Sequence, residues 1–388
     1  MSNHLESGIR ILVISSVRPE PTSAGHILLH RHLSDRPGIE YHVLQLEPQR
    51  PCLRRLLRQA VGLIDRTLMR RFAQDIWAIW EGRWIDAELP PMPSTATPTV
   101  VLTVAHAEGG LAAMRYAKRN ALPLVTFFHD WWPDIAEVHD AIRPKITKTF
   151  RELFFSSRVA LCVSPGMASA LGEHRCSKIL YPIPAANNSL EVGKIAVSPS
   201  GSYFRILYFG NLDDYGAMIQ NALDMLKVHP TIRLEVRGRN TTWPKEFQRE
   251  MRDRGLWLPI APRDQLEDWL NSADAFLVPQ VFEPSQRTRM ETNFPSKLPE
   301  YSQYGKPLVI WGPDYCSSVK WARNGNRALV VCDSDPCALV ADLLRLSCTP
   351  DARRSLSAMA RCSYETEFSP AGLQEKFESA LRAALESS

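Results

Sequence analysis

Short apolar runs recur along the chain and alternate with segments whose apolar residues have helical spacing. Few folds are compatible with this alternation. The first run, residues 9–15 (IRILVIS), is nearly continuous, as expected for a strand buried on both faces. Further strands are predicted at residues 41–46, 99–104, 122–128 and 159–163. Helical spacing appears between them, for example at residues 111–118 and 146–156. This order predicts a parallel sheet covered by helices.

The same pattern restarts in the second half of the chain. Residues 185–202 contain NNS and SPSGS and few large apolar side chains, which indicates an exposed linker. Beyond it, strands are predicted at residues 204–209, 231–237, 256–259, 275–279, 307–311 and 328–332. The stretch 352–388 has helical spacing only, and Pro370 suits the first turn of a helix.

These patterns predict two Rossmann-like α/β domains, residues 1–185 and 204–368, joined by a linker at 186–203. Residues 369–388 are expected to form a C-terminal helix that packs back towards the N-terminal domain. Ligands of open parallel sheets bind outside the carboxyl ends of the strands. We therefore expect the two domains to face each other across a cleft.

Composition and charge narrow the choice of partner and compartment. Lys and Arg number 46 against 42 for Asp and Glu, and this net charge of +4 is too small to indicate nucleic acid. No apolar run approaches the ~20 residues of a membrane span, and the first residues, MSNHLESGIR, lack a signal core. The eight cysteines show no CxxC spacing. We expect a cytoplasmic chain with reduced cysteines and no metal site.

The most informative stretch is residues 293–307, NFPSKLPEYSQYGKP. Ser296 predicts a helix start and Gly305 predicts its end. The helix dipole disfavours a cation in the first turn, so Lys297 at this position indicates a bound anion such as a diphosphate. Glu300 lies one turn later, where a carboxylate can accept hydrogen bonds from two adjacent sugar hydroxyls. The alternative is a surface helix with an ion pair between Lys297 and Glu300.

Extended to FPSKLPEYSQYGKPLV, this stretch resembles the donor-binding segment of retaining GT-B glycosyltransferases. This is the large bacterial family of mannosyl- and glucosyltransferase-like enzymes, the glycosyltransferase group 1 type. In that family a glutamate five residues before Gly-x-Pro binds the nucleotide ribose, and Glu300 matches this spacing. Other stretches resemble the family in the same order: residues 15–33, 161–171, 180–184, 208–223 and 234–240. The resemblance covers nearly the whole chain.

The resemblance implies a GT-B fold and a retaining, metal-independent transfer of a sugar from a nucleotide-diphospho-sugar of UDP or GDP type. The acceptor would be a glycan or a lipid-linked molecule, in the synthesis of cell-surface polysaccharide or glycoconjugates, and no separate cofactor is expected. When the family's donor-binding positions are matched to this sequence residue by residue, they fall on Gly210, Asn211, Arg237, Ile260, Phe294, Ser296, Lys297 and Glu300. Lys297 would also stabilise the leaving diphosphate.

His129 and Asp130 lie in the segment FFHDWWPD, directly after a predicted buried strand. Similar family members carry a His–Asp pair there that touches the donor sugar or the acceptor, so both residues are candidate catalytic residues. Trp131 and Trp132 would stack on a sugar face or on a lipid-linked acceptor. The alternative is an aspartate helix cap beside buried tryptophans.

The first βα loop carries a weaker candidate. Ser23, Ala24 and Gly25 precede a helix and would approach the acceptor or a phosphate through backbone N–H groups. An ordinary βα turn is the alternative. His26 and His30 share one face of the helix that follows, but the sequence offers no third metal ligand near them.

Two positions depart from the family pattern. Thr292 stands eight residues before Glu300, where the family often has a second glutamate, and Asn211 stands where it often has an arginine. The missing charge would then come from other basic residues, among them Arg237, Arg239, Arg287, Arg289 and Lys297. The departures leave two alternatives open. These are a non-catalytic sugar-nucleotide-binding protein and a sugar-nucleotide epimerase on the same fold.

Residues 50–84 combine arginines with apolar side chains. Seven arginines and one acid, Asp65, lie in residues 50–71, and tryptophans follow at positions 77, 80 and 84. Such spacing is typical of a helix that lies on anionic lipid, here at the cytoplasmic face of the membrane. The alternative is a helical hairpin on the sheet with a solvated basic face. Nucleic acid is disfavoured because no binding module is recognisable.

Overall fold

The computed structural model describes residues 8–21, 24–34, 36–44, 60–64, 66–67, 69–76, 78–79, 89–90, 97–185, 203–212, 214–239 and 242–386. The chain divides into two compact units. Unit 1 comprises Met1–Ile183 together with Ala371–Ser388, and unit 2 comprises Pro184–Pro370. Each unit is built on its own sheet of six strands.

The sheet of unit 1 is parallel throughout, with the strand order β2-β1-β3-β4-β5-β6. Its strands are β1 (Ile9–Val13), β2 (Ile39–Val43), β3 (Thr99–Val104), β4 (Leu124–Phe128), β5 (Val159–Cys162) and β6 (Ser177–Ile179). The helices between them include α1 (Ala24–Leu33), α2 (Arg70–Ile76), α3 (Ala107–Arg119), α4 (Trp132–Ile135), α5 (Arg143–Ser156) and α6 (Pro165–Leu171). Strand β3 is buried along its whole length, as expected for a central strand with packed layers on both faces.

The sheet of unit 2 is also parallel, with the order β12-β11-β10-β7-β8-β9. Its strands are β7 (Phe204–Phe209), β8 (Ile232–Arg237), β9 (Trp257–Leu258), β10 (Ala275–Pro279), β11 (Leu308–Trp311) and β12 (Leu329–Val331). Its helices include α7 (Gly216–Leu226), α8 (Lys245–Asp253), α9 (Arg263–Asn271), α10 (Arg287–Thr292), α11 (Lys297–Ser302), α12 (Ser317–Arg323), α13 (Pro336–Cys348) and α14 (Pro350–Ser363). Because the strands are parallel, their carboxyl ends share one edge of the sheet.

The last helix, α15 (Pro370–Glu386), packs into the core of unit 1. Its Leu373, Phe377 and Leu381 side chains are fully buried in the cluster that also contains the inward side chains of β1, β3, β4 and β5. On α1, His32 Nδ1 donates a 3.0 Å hydrogen bond to Gln374 Oε1, and Gln374 Nε2 donates to the His32 carbonyl at 3.2 Å. This helix therefore completes unit 1 from the far end of the chain.

All eleven predicted strands are found, although several of their ends shift. Strand β6 was not predicted, because its sequence SKI holds one large apolar residue and it lies at the edge of the sheet. The predicted linker falls outside the described residues except for Tyr203. Within the described part of the chain, no helix is both long and apolar enough to span a bilayer.

Candidate functional site

Two groups of residues lie at carboxyl ends of strands, one in each unit. In unit 2, the lysine site consists of Gly210, Lys297 and Glu300, beside the ends of β7 and β8. In unit 1, the histidine site consists of His26, His106, His129 and Asp130, beside the ends of β3 and β4.

The lysine site begins with a close contact between two glycine turns. Gly210 follows β7 and its N–H donates to the Arg237 carbonyl at 3.1 Å. Gly238 follows β8 with a φ of +157°, and a Cβ at this position would lie 1.9 Å from the Gly210 carbonyl oxygen. Only glycine permits this approach. The two turns thus form a compact backbone surface next to α11.

Tyr301 fixes α11 against the end of β7. Its hydroxyl accepts a 2.7 Å hydrogen bond from the Phe209 N–H and donates a 3.0 Å bond to the Phe209 carbonyl. Its ring stacks on Phe276 with centroids 4.4 Å apart. Burial raises the pKa of Tyr301 far above its ordinary value, so the phenol stays neutral and keeps its proton for this contact.

Lys297 lies in the first turn of α11, as predicted. Its Nζ is 4.3 Å from the Phe209 ring centroid, a cation–π distance. A Cβ on Gly210 would come within 3.5 Å of Lys297 Cε, so the ammonium group sits beside the glycine turn. Ser296 is the residue that precedes the helix, but its side chain makes no capping hydrogen bond and its backbone is already helical. The helix therefore starts where Ser296 predicts, but without a cap from the serine side chain.

Glu300 lies one turn after Lys297 and is partly exposed. Its Oε1 accepts a 3.2 Å hydrogen bond from the N–H of Ala185. Gln303 Nε2 donates to the Glu300 carbonyl at 2.8 Å. The carboxylate is thereby oriented by backbone from a distant part of the chain, which the sequence alone did not indicate.

The arginines proposed to supply the missing charge are engaged elsewhere, apart from the exposed Arg239. Arg237 donates from Nη1 to the Pro259 carbonyl at 3.1 Å and lies over the ring of Trp269. Arg289 pairs with Asp214 at 2.9 Å, and Arg287 pairs with Glu291 at 2.8 Å. Arg237 thus supports the turn before Ile260, whose side chain is 65% exposed beyond the end of β9.

Three further positions from the sequence analysis have defined surroundings: the predicted donor-binding residues Phe294 and Asn211, and Thr292, where the sequence departs from the family pattern. The Phe294 side chain is buried between Trp321 and Phe368, so only its backbone can meet a ligand. Asn211 is exposed, and its carbonyl accepts a 2.7 Å hydrogen bond from Tyr208. Thr292 is buried and donates to the Thr288 carbonyl within α10, so this position serves packing of the helix.

The histidine site gathers side chains from α1 and from the segments that follow β3 and β4. His129 Nε2 lies 3.0 Å from Asp130 Oδ2, directly after β4. A Cβ on Gly25, in the first turn of α1, would lie 3.8 Å from His129 Nε2. The structure thus places Gly25, a predicted residue of the first βα loop, next to the His129–Asp130 pair. Ala24 begins α1, while Ser23 lies outside the described residues.

His106 is a member of this site that the sequence analysis missed. Its ring packs on Trp132 with centroids 4.2 Å apart. Burial, together with the nearby His129, lowers the pKa of His106 to about 4, against the opposing effect of Asp130. Ala107, the next residue, has a φ of 49°, a left-handed conformation that is unusual for alanine. Like His129, His106 follows a buried strand, and this position in the sequence could have identified it as a candidate site residue.

The two tryptophans after Asp130 differ in role. Trp131 is 6% exposed and packs edge-on against Phe150, so the prediction that it stacks on a sugar is wrong. Trp132 is partly exposed. Trp131 is the residue that precedes α4, and its side chain makes no capping hydrogen bond. Among the residues described, no group of three or more His, Cys, Asp or Glu side chains is arranged to hold a metal ion.

The basic segment at 50–84 is described only in part. Residues 50–59, 65, 68, 77 and 80–84 lie outside the described residues, so the three tryptophans have no described position. Leu63, Met69 and Phe72 are 65%, 55% and 53% exposed. Arg66, Arg70 and Arg71 are exposed beside them in sequence. The described part therefore shows apolar and basic side chains together on the surface of unit 1.

Solved structures show the same fold over almost the whole chain. A glycosyltransferase from Rickettsia africae aligns with 98% of this chain and 100% of its own, at 12% identity and a TM-score of 0.63. Sucrose-phosphate synthase from Thermosynechococcus elongatus aligns over 98% and 100%, at 13% identity and a TM-score of 0.61. HepE from Anabaena, solved in complex with UDP and glucose, aligns over 97% and 100%, at 11% identity and a TM-score of 0.60. No protein-family model and no curated protein sequence matches the chain. The predicted GT-B fold is confirmed, and likeness at such identities carries the fold alone.

Proposed function

We propose that the chain is a retaining, metal-independent glycosyltransferase that moves a sugar from a nucleotide-diphospho-sugar to a glycan or lipid-linked acceptor. The lysine site carries the proposal. It places a cation and a carboxylate one helical turn apart, beside two glycine turns whose backbone can approach a ligand closely. HepE, which shares the fold, was solved in complex with UDP and glucose, and UDP-sugars are therefore the first donors to test.

In this proposal each part of the lysine site binds a different part of the donor. The diphosphate lies against backbone N–H groups at the start of α11 and at the Gly210 turn, with the Lys297 ammonium as its counter-charge. Glu300 accepts hydrogen bonds from the two ribose hydroxyls, because an ionised carboxylate is an acceptor only. The base lies near Ile260, where the side chain is open to solvent.

The proposed reaction needs no covalent enzyme intermediate. The bond between the anomeric carbon and the β-phosphate oxygen breaks, and its electron pair leaves with the diphosphate. Lys297 stabilises that leaving group electrostatically. The acceptor hydroxyl oxygen forms the new bond to the same carbon. On unit 1, Asp130 is the carboxylate proposed to take up the hydroxyl proton, and it orients His129 at 3.0 Å.

A thermal-shift screen tests this function first. The ligands are UDP, GDP, dTDP, ADP and their glucose and mannose conjugates. A ligand at 100 times its Kd stabilises the fold by about 2.7 kcal/mol, so one nucleotide should raise Tm visibly. Absence of any response at millimolar concentration contradicts the proposal.

The responding sugar nucleotide is then incubated with candidate acceptors. Release of the nucleoside diphosphate that depends on an acceptor identifies the transferase. A changed sugar without nucleotide release identifies an epimerase. Binding without either reaction identifies a non-catalytic sugar-nucleotide-binding protein.

We further propose that the exposed apolar side chains Leu63, Met69 and Phe72 and the exposed arginines near them in sequence contact anionic lipid, which would bring the enzyme to a lipid-linked acceptor. Sedimentation with vesicles of phosphatidylcholine, with and without phosphatidylglycerol, tests this contact. Binding should require phosphatidylglycerol and should fall for Leu63→Ser combined with Met69→Ser. Phe155→Ser, at an exposed phenylalanine on α5, is the control and should change nothing. Equal binding by all variants would contradict the lipid contact.

A further inference from the structure

His26 and His106 share one arrangement within the histidine site. In both, Nδ1 is buried and has no hydrogen-bond partner within the part of the chain that the structure describes. Both residues are nevertheless partly exposed. A buried N–H without an acceptor is rarer in proteins than an unused lone pair. On this ground we assign the lone pair to Nδ1 and the proton to Nε2, the other nitrogen of the ring.

The surroundings of His106 keep its imidazole neutral. Burial is the main cause, and His129 and His26 oppose a positive charge on the ring, while Asp130 favours one. The Trp132 ring packs against it at 4.2 Å. A neutral imidazole of this tautomer is a single N–H donor. It suits an uncharged oxygen, such as that of a sugar hydroxyl, better than a phosphate, which is best bound by a cation.

We propose that His106 is a sugar-binding residue, whose Nε2–H donates a hydrogen bond to a hydroxyl oxygen of the substrate. Its place after β3 puts it beside the His129–Asp130 pair and the start of α1. The contact with the Trp132 ring holds the imidazole in this place. The inference rests on the proposed function, since it assumes a sugar substrate. The hydroxyl belongs either to the donor sugar or to the acceptor, and the two arms of the test separate these sources.

Two substitutions distinguish hydrogen bonding through Nε2 from packing. The amide nitrogen of glutamine reaches the position of Nε2, whereas that of asparagine reaches only the position of Nδ1. His106→Gln should therefore retain the contact, and His106→Asn should lose it. His174→Gln is the control, because both nitrogens of His174 are bonded to backbone and it lies at the opposite edge of the same sheet. Melting curves confirm that each variant is folded.

The donor arm is calorimetric titration with UDP and with UDP-glucose. If the hydroxyl belongs to the donor, His106→Asn weakens binding of UDP-glucose about 3- to 10-fold, the value of one neutral hydrogen bond, and leaves binding of UDP unchanged. His106→Gln stays within about twofold of the unsubstituted protein.

The acceptor arm is saturation-transfer NMR with methyl α-glucoside and methyl α-mannoside, recorded with and without UDP. Loss of the glycoside signal in His106→Asn alone, with an unchanged donor arm, assigns the hydroxyl to the acceptor. The proposal is overturned if the asparagine and glutamine variants behave alike in both arms. Failure of every nucleotide to bind would instead contradict the proposed function, and the glycoside arm without UDP would still test His106.

Discussion

At the scale of single residues, Lys297 and Glu300 are expected to contribute differently to ligand binding. Lys297→Ala removes the ammonium group beside the Gly210 turn, and a lost charge-assisted contact should weaken UDP about 10- to 100-fold. Glu300→Gln keeps an oxygen for the Ala185 N–H but lowers its strength as a ribose acceptor, so we expect a smaller loss of about 3- to 10-fold. Calorimetric titration measures both.

The matched control for these variants is Lys376→Ala, which removes an exposed lysine of α15 in unit 1. It should leave the affinity for UDP unchanged. Wild-type affinity in both Lys297→Ala and Glu300→Gln would contradict the lysine site as the nucleotide site, even if the protein binds UDP.

The residues of the site were predictable only where their role depends on local sequence. Lys297 and Glu300 could be placed on one short helix because Ser296 signals its start and Gly305 its end. Phe294 could not be assigned to the core, because its burial depends on Trp321 and Phe368, which come later in the chain. His106 was missed because its neighbours arrive from α1 and β4, and no local spacing reveals them.

At the scale of elements, the pairing of α1 with α15 makes unit 1 sensitive to acid. Burial lowers the pKa of His32 to about 4 in the folded chain, against an ordinary value of 6.5. Between these pH values the unfolded chain binds the proton more readily, so stability falls as the pH drops from 6.5 to 4. At pH 4 the loss from this group is about 3 kcal/mol.

Denaturant unfolding of the intact chain and of His32→Asn, measured at pH 7 and pH 4.5, isolates this effect. Asparagine still offers an N–H to Gln374 but has no proton to gain. Its stability should fall less between the two pH values than that of the parent chain. Parallel pH dependence in both would show that His32 does not carry the effect.

Elements with a continuous apolar run were predictable, because burial on both faces of a parallel sheet demands such a run. Strand β6 shows the limit of this rule. At an edge, one large apolar residue and hydrogen bonds to β5 suffice, and the sequence SKI then resembles a loop. The ends of helices were less predictable; α5, for example, begins at Arg143 rather than 146.

At the scale of the molecule, unit 1 is assembled from the two ends of the chain. Leu373, Phe377 and Leu381 have no exposed surface, and burying three such side chains contributes about 5–9 kcal/mol. This approaches the whole stability of a typical protein, about 5–15 kcal/mol. A chain that ends at residue 369 should therefore lose the fold of unit 1.

Circular dichroism and limited proteolysis of the chain truncated at 369 check this expectation. The fragments released should come first from residues 8–183, while a core within 204–368 persists. Supplying residues 370–388 as a separate peptide should restore protection to unit 1. Unchanged protection of unit 1 in the truncated chain would show that α15 is dispensable.

The return of α15 to unit 1 also sets the order in which the protein can mature during its synthesis. The ribosome completes residues 1–183 before unit 2, yet the helix that closes their core is made only after unit 2. At about 5–20 residues per second, the roughly 200 residues in between take about 10–40 seconds. During that time the apolar face that α15 covers in the folded unit is exposed to solvent. We expect a chaperone at the ribosome exit to bind it.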